Sequence, residues 1–360
     1  MEKEDLPETI NIATLYKYTT EYNADSVEWC PHDPCKHLFV CGTYQLIEHK
    51  DNKTSKRVGC ILLFSVSRNG LELQQKLDTP AVLDQKWCPN PIGGLTILGV
   101  ANAERSLALY QIENNQLKFL TKFVFLDDDT ETLILSLDWS TNKYSCQQPH
   151  IACSDSKGNI HLLQLVENEL VLEQTFHGHE FQAWITGFYY WDPNIFFSGG
   201  DDSLMLLFDK RCGTSPLKKI RYDAGVTALH SNKSHEYIIA AGSYDEQVKL
   251  LDTRTCKPID SVRMPGPLWR LKWDPFVQTH LIASCMLGGV HIINTDQCNS
   301  MSIIDSYYEH ENIAYGGDWS FLDSCEVDKF DHKGNLVFAS CSFYDNLLCV
   351  SKCAVDLQRE

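Results

Sequence analysis

The segment Cys30–Cys35 brings together potential metal ligands, with His32 between its two cysteines. Thiolate and imidazole groups at this spacing are typical of one half of a zinc site. The other half is missing, because no cysteine or histidine pair elsewhere has C-x-x-C or H-x-x-x-H spacing. His177 and His179 form a similarly weak pair. The sequence therefore predicts no metal site, and we expect no cofactor.

The usual catalytic signatures are also absent from the sequence. It has no G-x-S-x-G turn, which presents the nucleophile of many hydrolases. It lacks the glycine-rich turns G-x-x-x-x-G-K-S/T and G-x-G-x-x-G that hold phosphate groups. An active site must therefore be assembled from residues that are distant in sequence, so the elements that position them decide where it lies.

The charge balance limits the possible partners. With 48 acidic and 31 basic residues, the formal net charge is −17. Nucleic acids and anionic membranes bind clustered Lys and Arg, so this balance argues against both as partners. It is compatible with a cationic substrate or with a basic patch on a partner protein.

Several features of the sequence predict a cytoplasmic protein. No apolar run reaches the roughly 20 residues that span a bilayer, and the first residues are too polar for a secretory signal. Many of the fifteen cysteines lie in strand-like runs, as Cys41, Cys153 and Cys285 do. This placement is typical of reduced, buried thiols in a cytosolic or nuclear protein.

A repeated strand pattern organises the whole chain. Each copy has an apolar strand that often ends in Trp or Phe, then a small-residue strand, a tight turn and a last alternating strand. Such repeats stack against their neighbours around a closed ring. We therefore predict one all-β domain over residues 1–360, a seven-bladed WD-repeat β-propeller with repeats at about 25–66, 81–113, 133–166, 177–211, 223–254, 266–296 and 308–350.

The ends of the chain are expected to close this ring. The segment Ile12–Tyr22 has strand composition and is predicted to complete the last blade. Closure leaves few free sheet edges, so we expect a monomer.

Several conspicuous polar residues are predicted to be architectural. An Asp recurs in the tight turn at Asp155, Asp202, Asp245 and Asp345. In WD repeats this Asp bonds backbone amides and a neighbouring His or Ser. His179 is the matching histidine of the fourth repeat.

The mouth of the central channel is the expected binding site, because the starts of the first strands and the residues beside the turn Asp converge there. These positions are rich in aromatic and acidic residues, namely Glu180, Phe181, Trp184, Asp201, Tyr244, Trp269, Arg270, His310, Tyr315, Asp318 and Tyr344. Ring faces and carboxylates attract a quaternary ammonium group. The same composition is typical of a protein-binding rim. The spacing leaves both interpretations open.

Several segments are more specific than the generic repeat. They include ADSVEWCP, LSLDWST, FQAWITGFYYWDP, GPLWRLKWDPF, YGGDWS and ASCSFYDNLL. Together these segments resemble the diphthine methylesterase family, the WD-repeat proteins of diphthamide biosynthesis. The likeness runs through all seven repeats.

The resemblance implies hydrolysis of the methyl ester of diphthine methyl ester, a modified histidine of elongation factor 2, which is then the partner. The substrate carries a trimethylammonium group. Trp184 and Trp269 would be walls around this cation, with Glu180, Tyr315 and Tyr344 also binding substrate.

Ester hydrolysis further needs a proton acceptor and groups that stabilise the oxyanion. His310 and Asp318 are candidate bases, and Asp201 is a base or a partner of the cation. Arg270 or Tyr244 would stabilise the oxyanion. Two alternatives stay open: a non-catalytic scaffold, as most WD-repeat proteins are, and a metal-dependent hydrolase.

Overall fold

The computed structural model describes residues 12–48, 55–126, 131–140, 143, 149–296 and 300–355. These residues form seven antiparallel sheets of four strands each. The innermost strands of successive sheets contact one another around a complete ring. The prediction of a seven-bladed, all-β propeller is therefore confirmed.

Each blade is a meander whose first strand lines the channel and whose fourth strand lies outermost. Blade one comprises β2 Asn23–Trp29, β3 Leu38–Ile47, β4 Lys56–Ser67 and β5 Gly70–Pro80. Blade two comprises β6 Val82–Trp87, β7 Ile97–Asn102, β8 Ser106–Glu113 and β9 Gln116–Val124. Blade three comprises β10 Ile134–Trp139, β11 His150–Asp155, β12 Asn159–Val166 and β13 Glu169–His177. Blade four comprises β14 Ala183–Phe188, β15 Ile195–Gly200, β16 Leu204–Asp209 and β17 Lys218–Arg221. Blade five comprises β18 Val226–Ser231, β19 Ile238–Ser243, β20 Gln247–Asp252 and β21 Lys257–Arg263. Blade six comprises β22 Leu268–Trp273, β23 His280–Cys285, β24 Gly289–Asp296 and β25 Ser300–Tyr307.

The seventh blade joins both ends of the chain. It comprises β26 Ala314–Trp319, β27 Leu336–Ser342, β28 Leu347–Cys353 and, as its outermost strand, β1 Ala13–Thr19. β1 pairs antiparallel with β28, with Ala13 opposite Lys352 and Thr19 opposite Leu347. The predicted closure by an N-terminal strand is confirmed, and the strand is shorter than the predicted segment Ile12–Tyr22.

The outer strands lie beyond the predicted repeat ranges in most blades. β9, β13, β17 and β21 follow the alternating third strand and expose most of their side chains. Their sequences, such as KKIR at Lys218–Arg221, carry little hydrophobic signal. Strands are predicted from their buried apolar residues, so the exposed outer strands of a propeller are harder to predict than the inner strands that line its channel.

Helical structure is minimal in the described ranges. The single α-helix, α1 Ser324–Val327, has a capping box between Asp323 and Glu326, and Lys210–Cys212 form one 3₁₀ turn. No helix among the described residues is long and apolar enough to cross a membrane.

Neighbouring blades are joined at the channel by indole groups. In blades two, three, six and seven, the Trp at the end of the inner strand donates its Nε1–H to a backbone carbonyl of the preceding blade, whereas Trp29 of blade one donates to Lys36 O of its own blade. Trp87 donates to Glu28 O at 3.1 Å, and Trp319 donates to Lys272 O at 3.0 Å. These bonds explain why most inner strands end in Trp, because another apolar residue would have no side-chain N–H to donate.

The closing strand should contribute measurably to stability. Tyr18 packs edge-on against Phe64 of blade one, with ring centroids 4.9 Å apart. We expect Tyr18→Ala to lower the free energy of unfolding by about 2–3 kcal/mol, because it removes a large, partly buried ring. Urea denaturation followed by tryptophan fluorescence measures this. Thr19→Ala, at an exposed position of the same strand, should change it by less than about 0.5 kcal/mol; equal losses would contradict the role of Tyr18.

Candidate active site at the channel mouth

A β-bulge lies at the same place in all seven inner strands. The pairing between the first and second strands of every blade shifts by one residue near the mouth of the channel. A bulge leaves one residue unpaired and redirects its side chain. The bulged residues form a ring at the mouth and are Asp25, Leu83, Leu135, Trp184, Thr227, Trp269 and Tyr315.

Four aromatic side chains meet at this ring, and we call them the mouth cluster: Trp184, Tyr244, Trp269 and Tyr315. Trp269 is central, with its ring centroid 5.5 Å from Trp184, 6.3 Å from Tyr244 and 4.6 Å from Tyr315. All four side chains are half-buried, so part of each ring faces solvent. The structure thus brings together four residues that the sequence predicted for the site.

Carboxylates lie beside the mouth cluster. The indole N–H of Trp184 donates to Asp201 Oδ1 at 3.1 Å, which places an exposed carboxylate against the ring. Burial and the charge of Asp201 raise the pKa of Tyr244 to about 12, so this phenol stays protonated at neutral pH. An aromatic surface with a carboxylate at its edge suits an organic cation.

Asp25 is a site residue that the sequence analysis missed. It is the bulged residue of blade one, equivalent in position to Trp184, Trp269 and Tyr315. Burial raises the pKa of its carboxyl well above the usual range, and the charge of Arg270 only partly offsets this. Gly316, the residue after Tyr315, packs against the backbone of Ser26 and Val27, so Asp25 lies beside the mouth cluster. The charge of Asp25 also contributes to the raised pKa of Tyr315. Reading the same strand position in every repeat would have found it.

Arg270 lies one residue below the mouth cluster and is buried. Its Nη2 is 3.1 Å from Asp84 Oδ1, a charge contact without hydrogen-bond geometry, and donates to Leu83 O at 3.3 Å. The carboxylates of Asp84 and Asp25 outweigh burial and raise the pKa of this guanidinium.

Buried polar atoms without a partner cluster around these groups. Within the described residues, Asp25 Oδ1, Ser26 Oγ, Gln85 Oε1 and Trp269 Nε1 have no hydrogen-bond partner in the structure. Such atoms are rare in folded proteins because each carries a desolvation penalty. A bound substrate or an ordered water would satisfy them.

Other predicted site residues lie apart from the mouth cluster. Tyr344 is exposed, and its ring centroid lies 5.0 Å from that of Phe343, which in turn lies 5.0 Å from that of Tyr315. Glu180 is exposed, and its backbone N–H donates to Asp202 Oδ2 at 3.2 Å. Phe181 is also exposed.

His310 has an architectural position. Its Nε2 is 2.8 Å from Ser340 Oγ, and the backbone N–H of Glu311 donates to Asp345 Oδ2. His179 makes the matching contact in blade four, with Ser198 Oγ at 2.7 Å. It also bonds the turn Asp202 Oδ1 at 2.9 Å, whereas His310 Nδ1 has no hydrogen-bond partner in the described residues.

Burial lowers the pKa of His310 to about 4, so its ring is neutral and enclosed. The architectural role predicted for the turn Asp residues is confirmed by their bonds to backbone amides, at Asp155, Asp202, Asp245 and Asp345.

The curated proteins similar to this chain include several named diphthine methyltransferase or its homologue. The Mus musculus protein is 40% identical over 336 residues, which cover 86% of this chain and 70% of the relative. The Homo sapiens protein is 38% identical and covers 86% and 75%, and the Dictyostelium discoideum homologue is 32% identical and covers 92% and 96%. The chain belongs to the diphthine methyltransferase family. The resemblance to the WD-repeat proteins of diphthamide biosynthesis is confirmed.

Two further comparisons concern this family member. No family model matches the chain. A chain in the crystal structure of a mitotic checkpoint complex superposes with a TM-score of 0.72 at 13% identity, covering 99% of this chain and 96% of the other. At that identity the likeness shows the propeller fold alone.

The channel of this diphthine methyltransferase-family chain holds a cavity of about 350 Å³ below the mouth cluster. Trp269 and Arg270 line one part of it, and Asp318 lies deeper, beside Lys272 and Glu28. Asp318 Oδ2 accepts the backbone N–H of Trp29 at 2.7 Å, and Lys272 Nζ lies 2.6 Å from Glu28 Oε1 and 3.7 Å from Asp318 Oδ1. The predicted candidate base Asp318 is therefore engaged in joining blades seven and one.

The possible zinc half-site is occupied by structural contacts. His32 Nε2 bonds the backbone carbonyl of Cys88 at 2.8 Å, and Cys30 lies in the core. Within the described ranges, no three His, Cys, Asp or Glu side chains are grouped so that they could hold a metal ion.

Breaking the channel ion pair should destabilise the propeller. We expect Lys272→Met to lower the free energy of unfolding by about 3–5 kcal/mol, because it leaves buried carboxylates unpaired. Burial raises the pKa of Glu28 to about 7 despite the nearby Lys272. At pH 5 this carboxyl is neutral, so the loss should be smaller than at pH 8, as measured by urea denaturation at both values.

The double variant Lys272→Met/Glu28→Gln is the matched control. It removes the unpaired charge and should recover much of the loss at pH 8. If it is no more stable than Lys272→Met, the loss comes from packing and not from charge.

Proposed function

We propose that this chain hydrolyses the methyl ester of diphthine methyl ester on elongation factor 2. The observation that carries the proposal is an aromatic cluster at one channel mouth together with a buried carboxyl, Asp25, at the equivalent bulge position of the neighbouring blade. The name of these relatives describes a methyl transfer that involves diphthine. In the reaction proposed here, that group leaves as methanol. The diphthamide pathway also supports a cytoplasmic setting.

The mouth cluster is proposed to bind the trimethylammonium group. Trp184, Tyr244, Trp269 and Tyr315 offer half-exposed ring faces within one group. Asp201, bonded to the indole of Trp184, supplies a negative charge at its edge. Cation–π contacts of this kind contribute about 0.5–2 kcal/mol each, so the cluster would anchor the side chain.

Asp25 is proposed as the general base. Its carboxylate takes a proton from water as the water oxygen bonds to the ester carbonyl carbon. The bond from that carbon to the methoxy oxygen then breaks, and the proton passes to the departing methoxide. The products are methanol and the carboxylic acid, which releases its remaining proton to water and becomes the carboxylate. A raised pKa suits this role, because a base works best when its pKa lies near the working pH.

The unpartnered indole N–H of Trp269 and the guanidinium of Arg270 are proposed to stabilise the oxyanion. Trp269 Nε1 has no partner in the described residues, so it can donate without breaking an existing bond. Donors fixed in advance stabilise developing charge at no reorganisation cost. Asp318 leaves the proposal because its Oδ2 accepts the backbone N–H of Trp29. His310 leaves it because its Nε2 bonds Ser340 Oγ, as His179 Nε2 bonds Ser198 Oγ in blade four.

Methanol release from purified elongation factor 2 bearing diphthine methyl ester tests the function directly, with this chain as the sole addition. Asp25→Asn should lower kcat by about 10²–10⁴-fold with the fold intact. In the wild type, the rate should rise with pH through the raised pKa of Asp25, since only the ionised carboxylate accepts a proton. Asp223→Asn, an exposed acidic position on the same face, is the control. An unchanged kcat in Asp25→Asn would rule out this base, and no methanol from folded wild-type protein would favour the scaffold interpretation.

Substitutions in the mouth cluster should separate binding from catalysis. Trp269→Phe keeps an aromatic ring but removes the N–H, so we expect kcat to fall by about 10²-fold with KM little changed. Trp184→Ala removes a cation-binding face and should raise KM roughly tenfold with kcat preserved. Steady-state kinetics on the same protein substrate measures both, and a reversed pattern would contradict the two assignments.

A further inference from the structure

The most exposed large apolar side chains concentrate on one face of the propeller. Among the described residues, six such side chains are more than half exposed. Five of them lie in outer-to-inner strand connections or in turns between second and third strands, all of which open on the mouth face. We call these five the rim: Leu126, Phe181, Leu287, Tyr308 and Tyr344. The sixth, Phe119, lies on the outer strand β9.

Leu287 is the most informative member of the rim. It stands in the β23–β24 turn, at the position that Asp245 occupies in the preceding blade. Its φ is +56°, in the left-handed region that disfavours a branched side chain, and the side chain is 78% exposed. A strained backbone that also exposes an apolar group does not serve stability of the monomer. This combination is expected where another surface covers the residue.

The exposed charges between the rim residues are mostly acidic. Exposed carboxylates in the same loops are Glu104, Glu131, Glu180, Asp201, Asp223 and Glu311. The full chain carries a net charge of −17. A partner for this face must therefore be basic and must offer apolar surface between its charges.

We propose that the rim docks the folded body of the substrate protein, around the modified side chain that enters the mouth. This inference rests on the proposed function. The mouth cluster lies inside the rim, so a folded protein that inserts a side chain into the mouth must place the surface around that side chain against the rim. The partner surface is basic and apolar. The rim then adds affinity and selects a protein over a free ester.

Binding of the full chain to elongation factor 2 bearing diphthine methyl ester, measured by biolayer interferometry, tests the docking surface. The variant Leu287→Gly/Phe181→Ser should weaken Kd by at least about tenfold, since exposed apolar anchors dominate such interfaces. Affinity should also fall as salt rises. Phe119→Ser removes an equally exposed ring away from the face and should leave Kd unchanged.

Stability and a small substrate separate docking from folding and catalysis. Leu287→Gly alone should keep or raise Tm while it weakens binding, because glycine accepts the positive φ. Turnover of a short peptide carrying the ester should be unaffected by both rim substitutions. If the wild type releases no methanol, the proposed function is wrong, and the binding measurement still tests whether the rim docks the protein. Rim variants that bind and turn over the whole protein like wild type would overturn the inference, as would sedimentation showing that the rim instead pairs two copies of this chain.

Discussion

The open edge of each inner strand is the constraint on which the structure depends. Within a blade, an inner strand pairs on one side only, and its other edge faces the channel. Buried N–H groups on that edge need acceptors. Side chains of the preceding blade supply them: Phe188 N donates to Asp138 Oδ2 at 2.7 Å, and Leu137 N donates to Asp84 Oδ2 at 3.0 Å. Ring closure therefore requires polar side chains in a channel that is otherwise apolar.

The charges of the channel follow from this requirement. Carboxylates placed to accept backbone N–H groups are buried and need cations, so Lys86 lies 2.9 Å from Asp84 Oδ2 and Lys272 lies beside Glu28. Arg270 then balances Asp84 and Asp25 nearer the mouth. Burial raises the pKa values of Glu28, Asp138 and Asp318 in the channel, whereas the charges of Arg270 and Lys86 hold the pKa of Asp84 below its usual value. The raised pKa of the Asp25 carboxyl at the mouth has the same cause, because this side chain is also buried among the charges of the channel.

The bulges connect this architecture to the candidate site. A regular inner strand would alternate its side chains between channel and blade interior. The shift in every blade frees one residue from this alternation at the mouth, and the type of residue there varies between blades. Blades one, four, six and seven supply a carboxylate and three aromatic rings. Site residues are thus presented on strands, which hold them more rigidly than loops would.

The sequence by itself determined the seven blades, the closing N-terminal strand and the aromatic character of the mouth, because period-two apolar strands and recurring turns are local signals. It also identified Trp184, Trp269 and Tyr315, since each is a large residue at the start of an inner strand. Only the tertiary structure distinguished the charged residues near the mouth from one another. Asp318 accepts a backbone N–H from the next blade, and His310 bonds Ser340 through Nε2. Asp25 Oδ1 and His310 Nδ1 are both buried without a hydrogen-bond partner in the described residues, but only Asp25 lies at a bulge of an inner strand. The physical reason is that the chemistry of a carboxyl or imidazole depends on its burial and hydrogen-bond partners, which come from other blades distant in sequence.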